Sequence, residues 1–490
     1  MSESTPIQQQ AITGDRTSIA VLPFVNLSRD SNDVYISDGI AEEITSALAA
    51  FPGLRVAAQE SAFSFRDSAE PPAAVAAKLG VTVLLGGSTR REGSRVQLAV
   101  HLVDPRTAGT VWSEEREIEL SDLYAARGEI AQAVAEHLLP SSPALRGKHP
   151  REPEMAPPHG PSSVSPGAPA EQADAYDLYL RGRFIMGHRA ESNLRMALDY
   201  FERSVTIDPR FPLAHVGIAQ ILALLSFYGH ARSHDVMPRA LASAERALRL
   251  DDSLGDAHGA LAFVRMTYNW DWDGAGREFI RTLELNPNDL TALLYYGFYY
   301  LICIRGRFDE GMRCIWKAVE LDPVAAVPVA MLGVAAQYTK RTENIAVRVR
   351  DAVEGLPSSW LLQRSMGLVL AAEGRYSEAV AAMERAARLS NRYPWILMDL
   401  GAIRAEMGDR EGALRLHAEL EGISAERYLQ PFALAAIPAA LGDLDAALPA
   451  LRKSFEERDG VLCVLQHYPA FRTVRHDPRF QELVTKMGLG

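Results

Sequence analysis

Side chains able to do chemistry are few in this sequence, and their spacing decides how each is read. Asp30, Asp33, Asp38, Glu42 and Glu43 crowd one short stretch. A hard cation needs oxygens converging from a rigid loop, and no EF-hand spacing is present. The stretch instead predicts a helix capped by Asp38, with Glu42 and Glu43 in its first turn, where the dipole favours negative charge. His230 and His234 stand four apart, a spacing that places two imidazoles on one helix face for zinc. No third ligand lies nearby, so they are read as surface-loop histidines; His215 and His258 are read as packing residues. Cys303 and Cys314 lack an electropositive, partly exposed setting and are read as buried free thiols. Gly86-Gly87-Ser88 with Gly93 lacks the lysine of a phosphate-binding loop and is assigned to a hairpin. No G-x-S-x-G, H-R-D or D-F-G motif occurs. No catalytic residue, cofactor or metal site is therefore expected, and the chain is not expected to be an enzyme.

The elements that position such groups follow from composition and pattern. The chain has 490 residues, 48% hydrophobic, enough to bury a core without staples. Three cysteines with no C-x-x-C exclude a disulfide scaffold. A net charge of −11, from 62 acidic and 51 basic residues, argues against nucleic-acid binding driven by bulk charge. No apolar run reaches the roughly 18 residues of a membrane span. Residues 1–17 lack the basic start and apolar centre of a secretion signal. The expected location is cytoplasmic, and residues 1–17 are expected to be disordered.

Residues 18–139 mix strand and helix signals. Strands are expected at 19–24, 54–56, 81–85, 96–102 and 111–120, with helices after Asp38 (stripe Ile40, Ile44, Leu48), over 73–79 and from Ser121 to about Leu139. This is a small mixed-sheet α/β domain. Residues 140–172 hold nine of the 28 prolines and are expected to be an extended, mobile linker. Residues 173–490 read as helix and repeat. Gly333, Gly367 and Gly401 stand 34 apart; so do Gly374, Gly408 and Gly442, and Ala379, Ala413 and Ala447. Small residues at Gly367 and Ala379 allow two helices to approach, and Gly374 allows the turn between them.

Residues 367–389 (GLVLAAEGRYSEAVAAMERAARL) resemble the tetratricopeptide repeat. The expected fold is the small α/β domain followed by an all-α tetratricopeptide-repeat solenoid. About eight units run from about 175 to 456, and a capping helix covers Val474 to Met487. The first three units carry insertions, the largest from Ser226 to Met237. The L-P-F strand, the Tyr35…Asp38-Gly39…Glu42-Glu43 segment and residues 84–104 (LLGGSTRREGSRVQLAVHLVD) resemble the TolB amino-terminal-like domain of bacterial signalling proteins. In that group the domain commonly precedes tetratricopeptide repeats. It commonly follows a winged-helix, class III nucleotide cyclase or protein kinase module; only 17 residues precede Ser18, so none is expected here.

The repeat resemblance implies a partner groove lined by Leu293, Tyr296, Tyr300, Val327, Tyr338, Leu361, Arg364, Trp395 and Met398. Ala330, Val334, Leu368 and Ala402 stand where a carboxylate clamp would place Lys, Arg or Asn, so an apolar helix or extended peptide is the expected ligand. The competing occupant is the chain's own end or its N-terminal domain. The expected function is a non-catalytic protein-interaction scaffold in bacterial signalling or regulation, with a protein or peptide partner and no direct nucleic-acid contact. The alternative is the regulatory part of a cyclase or transcriptional system whose output domain lies on another chain.

Overall fold

The computed structural model describes residues 17–51, 53–139, 169–187, 190–339 and 341–489. Residues 1–16 and 140–168, which hold the expected disordered start and most of the expected linker, lie outside the described residues. The last four linker positions, 169–172, belong instead to the helix Pro169–Met186.

The first part is a sheet with helices on both faces. Its elements are β1 (Ser18–Val21), β2 (Val25–Asn26), α1 (Val34–Ala49), β3 (Arg55–Val56), α2 (Gln59–Phe63), α3 (Pro72–Leu79), β4 (Val83–Glu92), β5 (Arg95–Asp104), β6 (Gly109–Glu119) and α4 (Leu123–Leu138). The strand order is β3-β1-β4-β5-β6, with β2 also pairing β4. β1 runs parallel to β3 and β4, while β4, β5 and β6 are antiparallel. Alternation splits β1 between two cores. Ile19 and Val21 face the helices carrying Ile40, Ile44 and Ile130, and Ala20 faces Val75 and Leu79 of α3.

Two local readings are corrected here. Asp38 does not cap α1. Asp30 caps a preceding 3₁₀ turn through Asn32 N at 2.8 Å, and that turn runs directly into α1 at Val34. Asp38 therefore lies one turn inside the helix, buried, with its carboxylate 2.5 Å from Arg66. Gly86 and Gly87 lie inside β4 rather than in the hairpin. A Cβ at Gly86 would sit 2.7 Å from the His101 ring, and one at Gly87 would sit 2.8 Å from Ala99 O. The turn is made by Gly93, at φ +67.

The remaining described residues form eight successive helix pairs, an all-α solenoid. The pairs are Pro169–Met186 with Glu191–Ile207; Pro212–Phe227 with Ser233–Leu250; Gly255–Val264 with Trp272–Leu285; Leu290–Leu294 with Phe308–Leu321; Ala326–Thr339 with Glu343–Gly355; Trp360–Ala372 with Tyr376–Leu389; Pro394–Glu406 with Arg410–Glu426; and Pro431–Ala440 with Leu444–Glu456. In the third and fourth pairs the first helix continues as π-helix, over Arg265–Asn269 and Tyr295–Ile304. Residues 226–237, the expected insertion, are absorbed into the longer helices of the second pair and the turn between them.

The repeat has a packing cause. A Cβ at Gly367 would meet Met383 Cγ at 2.6 Å, and one at Gly401 would meet Ile437 Cδ1 at 2.2 Å. Gly306, Gly374, Gly408 and Gly442 turn the chain between paired helices at positive φ. Asp271, Asp409 and Asp443 then cap the second helices, each accepting from the backbone N–H three residues on. Another device recurs at the first helices. His215, His258 and Gln363 each bond the carbonyl six residues earlier, at 3.0, 2.9 and 3.1 Å.

The array closes on itself. Gln430 Nε2, at the seventh-to-eighth junction, donates to Ser226 O at 3.2 Å and Phe227 O at 3.1 Å in the second pair. His234 Nε2 lies 2.8 Å from Glu456 O, and the Arg458 guanidinium stacks 4.0 Å over the Trp270 ring. His230 contacts Glu191 at 3.3 Å. His230 thus lies in the turn between two helices, where it meets Glu191, and His234 lies in the first turn of the second helix rather than in a loop. Two 3₁₀ turns, Gly460–Val464 and Pro469–Phe471, then lead to the helix Pro478–Lys486. This ending covers the eighth pair through Arg479 and Asp445, 2.5 Å apart, and reaches the third pair, where Trp272 Nε1 donates to Met487 O at 2.7 Å. No helix among the described residues is long and apolar enough to cross a membrane.

Candidate functional site

The concave surface of the solenoid is where first helices of successive pairs converge, and the chain itself covers much of it. The α/β domain docks on the first pair and on the two junctions that flank the fourth. Asp177 of the first pair accepts from Arg91 at 2.9 Å, from Arg181 at 2.8 Å and from the Tyr35 hydroxyl. Burial, reinforced by Asp177, holds the Tyr35 phenol well above its ordinary pKa, so it stays a donor. Glu43 accepts from Tyr179 at 3.0 Å and pairs with Arg127; Glu42 pairs with Arg183. Asn288 Nδ2 reaches Ala49 O at 3.3 Å, and Arg55 Nη1 reaches Glu320 O at 3.2 Å. The acidic cluster of α1 is thus an interface rather than a solvated face.

Cavities remain on this surface. One, of about 440 Å³, lies between the inner helices of the later pairs, the C-terminal segment and the ends of the first two pairs at Glu191 and Phe227. Tyr299, Tyr338, Trp360, Tyr393 and Trp395 form much of its wall. Arg364 and Asp399 supply its buried charge, 2.7 Å apart, with side chains only 14% and 4% exposed, and the more exposed Glu191 also borders it, beside His230. Tyr468 of the C-terminal segment donates to the same carboxylate at 2.5 Å. Burial, with Asp399 beside it, raises the Tyr468 phenol well above its ordinary pKa. Trp395 Nε1 donates to Gln430 Oε1 at 3.1 Å, which fixes the indole plane at the ring closure.

The second cavity, of about 900 Å³, lies where α1 and α2 meet the inner helices of the first four pairs. Thr291 and Tyr295 border both cavities. The concave surface is therefore one surface, partitioned at Tyr295, whose ring stacks on Phe263 at 4.7 Å.

Of the nine residues expected to line the groove, Val327, Tyr338, Leu361, Arg364, Trp395 and Met398 border the smaller cavity. Leu293, Tyr296 and Tyr300 do not. Tyr296 and Tyr300 stack on each other at 5.4 Å and lie against Phe279 of the preceding pair. Thr291, Leu294, Tyr295, Phe298 and Tyr299 face inward instead, at i, i+3, i+4, i+7 and i+8, so the inward stripe is offset from the expected one from the first turn of the helix onward. Ala330, Val334 and Leu368 border the cavity as small or apolar side chains, as a groove without a carboxylate clamp requires. Sequence reasoning passed over Asp399, Tyr468 and Gln430. The one legible signal was Asp399 itself, a lone acid inside the apolar run PWILMDLGAI.

Chemistry at the other groups is structural. Cys303 and Cys463 are fully buried, whereas Cys314, expected to be buried, is only partly so; burial pushes all three thiols up, away from the reactive thiolate. No group of three or more His, Cys, Asp or Glu side chains converges to hold a metal ion among the described residues.

No family model matches the sequence. A protein of Rhizobium meliloti named putative adenylate cyclase 3 is 31% identical over 252 residues. The match takes in 51% of this chain and 40% of that protein, so the chain spans less than half of its relative's length. Among solved structures, a tetratricopeptide repeat protein from Parabacteroides merdae overlaps 51% of this chain and 93% of its own, at 14% identity and TM-score 0.38. Yeast Tom70 overlaps 64% of this chain and 68% of its own, at 15% identity and TM-score 0.39. YrrB, described as a tetratricopeptide protein with an unusual peptide-binding site, overlaps 40% of this chain and 95% of its own, at 16% identity and TM-score 0.28.

Proposed function

We propose that the chain is a non-catalytic regulatory scaffold that takes an apolar segment of a partner protein into the solenoid's aromatic cavity. The observation that supports this reading is the cavity's wall. Aromatic side chains offer large, rigid contact area, and the few polar groups are already engaged with one another. A ligand entering there gains apolar burial, and a charged group without a partner of its own is disfavoured. The C-terminal segment, through Tyr468, forms part of the same wall, so binding and closure of the ring are coupled. Titration of short peptides with paired apolar anchors against the intact chain tests the reading. Affinity is expected to fall in Trp395→Ala and Tyr299→Ala and to stay unchanged in Tyr296→Ala.

A second reading places the chain in a nucleotide cyclase system, as a regulatory part acting on an output domain. The 31% identical stretch shared with a protein named as an adenylate cyclase favours it. The purified chain alone is then expected to form no cyclic AMP from ATP. Addition to a cyclase domain is expected to change that domain's rate. Cyclic AMP formation by the chain alone contradicts the non-catalytic assignment.

A further inference from the structure

The sheet of the α/β domain ends in two unlike outer strands. β3 has 2 residues, whereas β6 has 11, Gly109–Glu119. Leu120 N donates to Ser94 O at 2.8 Å, and these two residues continue the register that pairs Glu119 with Arg95. Bonded and non-bonded pairs alternate along an antiparallel ladder, so Ile118, Arg116, Glu114 and Trp112 also turn their N–H and C=O toward β5. The backbone groups of Ser113, Glu115, Glu117 and Glu119 point away from the sheet, and none of the described residues pairs with that side. The side chains of Ser113, Glu115 and Glu117 are exposed as well.

A free edge is a template for a further strand, and proteins blunt such edges with brevity, proline, bulges or charge. From Ser113 to Glu119 β6 contains no proline, and its register shift lies toward the other end, opposite Leu102 and Val103. Charge is therefore its guard, and the guard is mostly of one sign: Glu114, Glu115, Glu117 and Glu119 against Arg116. Arg95 takes up Glu117 and Glu119, at 3.3 and 2.8 Å, and Arg116 takes up Glu114. Glu115 has no ion pair among the described residues. Two copies of β6 paired antiparallel about Arg116 would set Glu115 opposite Glu117, and like charges directly opposite destabilise a sheet. The same carboxylates favour a cationic strand.

We propose that the outer edge of β6 takes an extended basic segment of a partner protein as an added strand. Its lysines or arginines stand at alternate positions, on the face of Glu115 and Glu117, with apolar residues between them on the face of Trp112 and Ile118. Main-chain bonds to Ser113, Glu115, Glu117 and Glu119 supply the attachment, and the carboxylates supply the selectivity. This surface does not involve the aromatic chamber.

Two short peptides test the edge on the intact chain at one ionic strength, one alternating lysine with valine and one alternating glutamate with valine. Fluorescence anisotropy is expected to show the lysine peptide binding and the glutamate peptide at least about tenfold weaker. Hydrogen exchange at the outward amides of β6 is expected to slow when the lysine peptide binds, a readout that loose adsorption to acidic side chains would not move. Ser113→Pro removes one outward N–H while leaving the ladder to β5 and every carboxylate in place, and is expected to weaken the lysine peptide about tenfold. Glu115→Lys breaks no ion pair and is expected to weaken it by a similar factor. If Ser113→Pro fails to fold by circular dichroism, Glu115→Lys and the exchange readout decide. No binding at about 1 mM, equal binding of both peptides, unchanged exchange at the outward amides, or wild-type affinity in the folded variants overturns the proposal. Protection of those amides in the free chain also overturns it, because another segment or a second copy then already covers the edge.

Discussion

Arg364 and Asp399 face each other at 2.7 Å on adjacent inner helices, and both are almost wholly out of water. The pair is the charged floor of an aromatic chamber, and the Tyr468 hydroxyl closes its remaining side. Removing one partner of a buried pair leaves the other charge unanswered. Asp399→Ala is therefore expected to destabilise the chain by about 3–5 kcal/mol. The double change Arg364→Met with Asp399→Leu is expected to cost less than Asp399→Ala alone. Chemical denaturation of the single and double variants measures both.

The repeat glycines divide into those that packing requires and those that it does not. A methyl at Gly401 would overlap Ile437, so Gly401→Ala is expected to lose about 1–3 kcal/mol. Gly422, inside the helix Arg410–Glu426, has nothing within 4 Å of an added Cβ. Gly422→Ala is expected to gain about 0.5–1 kcal/mol from helix propensity. Thermal melts of the two variants should move in opposite directions.

That contrast also explains how much of the molecule was legible. The 34-residue spacing of Gly367 and Gly401 reflects contacts between neighbouring helices, so it is written in local sequence. So is the alternation of Val96, Leu98, Val100 and Leu102 in β5. The inward register of the fourth pair was not legible. Tyr295–Ile304 is a run of ten consecutive apolar or small residues, and such a run carries no periodicity to show which face turns inward. Asp38 and Glu42 looked like helix-terminal carboxylates because their partners, Arg66 and Arg183, are distant in sequence. Ring closure through Gln430 and Ser226 spans 204 residues and leaves no local trace.

Asp459 gives the fold a pH signature. It accepts from Gln430, Phe432 N, Ser454 and Val461 N, yet burial raises its pKa to about 6. A carboxyl raised in the folded state holds its proton there after the unfolded chain has lost it, near 3.8. Its contribution to stability is therefore present below about pH 4 and declines as pH rises to about 6, by up to about 3 kcal/mol. Asp289, also raised to about 6 by burial and by Asp256, acts in the same direction. The slope of unfolding free energy against pH between 4 and 6 should be more positive in Asp459→Asn than in the wild type.

The docking of the α/β domain hinges on Asp177, which answers Arg91, Arg181 and Tyr35 together. Asp177→Ala leaves Arg181 without its carboxylate and Arg91 with the more distant Asp33, at 3.6 Å, at a half-buried interface. Hydrogen exchange in α1 is expected to rise in this variant, while the inner helices of pairs six to eight keep wild-type protection.

The proposed seat of partner recognition is the aromatic chamber, and one titration tests this most directly. Binding of apolar-anchor peptides is measured on the intact wild type, Trp395→Ala, Tyr299→Ala and Tyr296→Ala, each confirmed folded. The account predicts at least about tenfold weaker binding in the first two variants and wild-type affinity in Tyr296→Ala, whose ring packs against Phe279 outside the chamber. Equal affinity across all four proteins, or a loss confined to Tyr296→Ala, contradicts it.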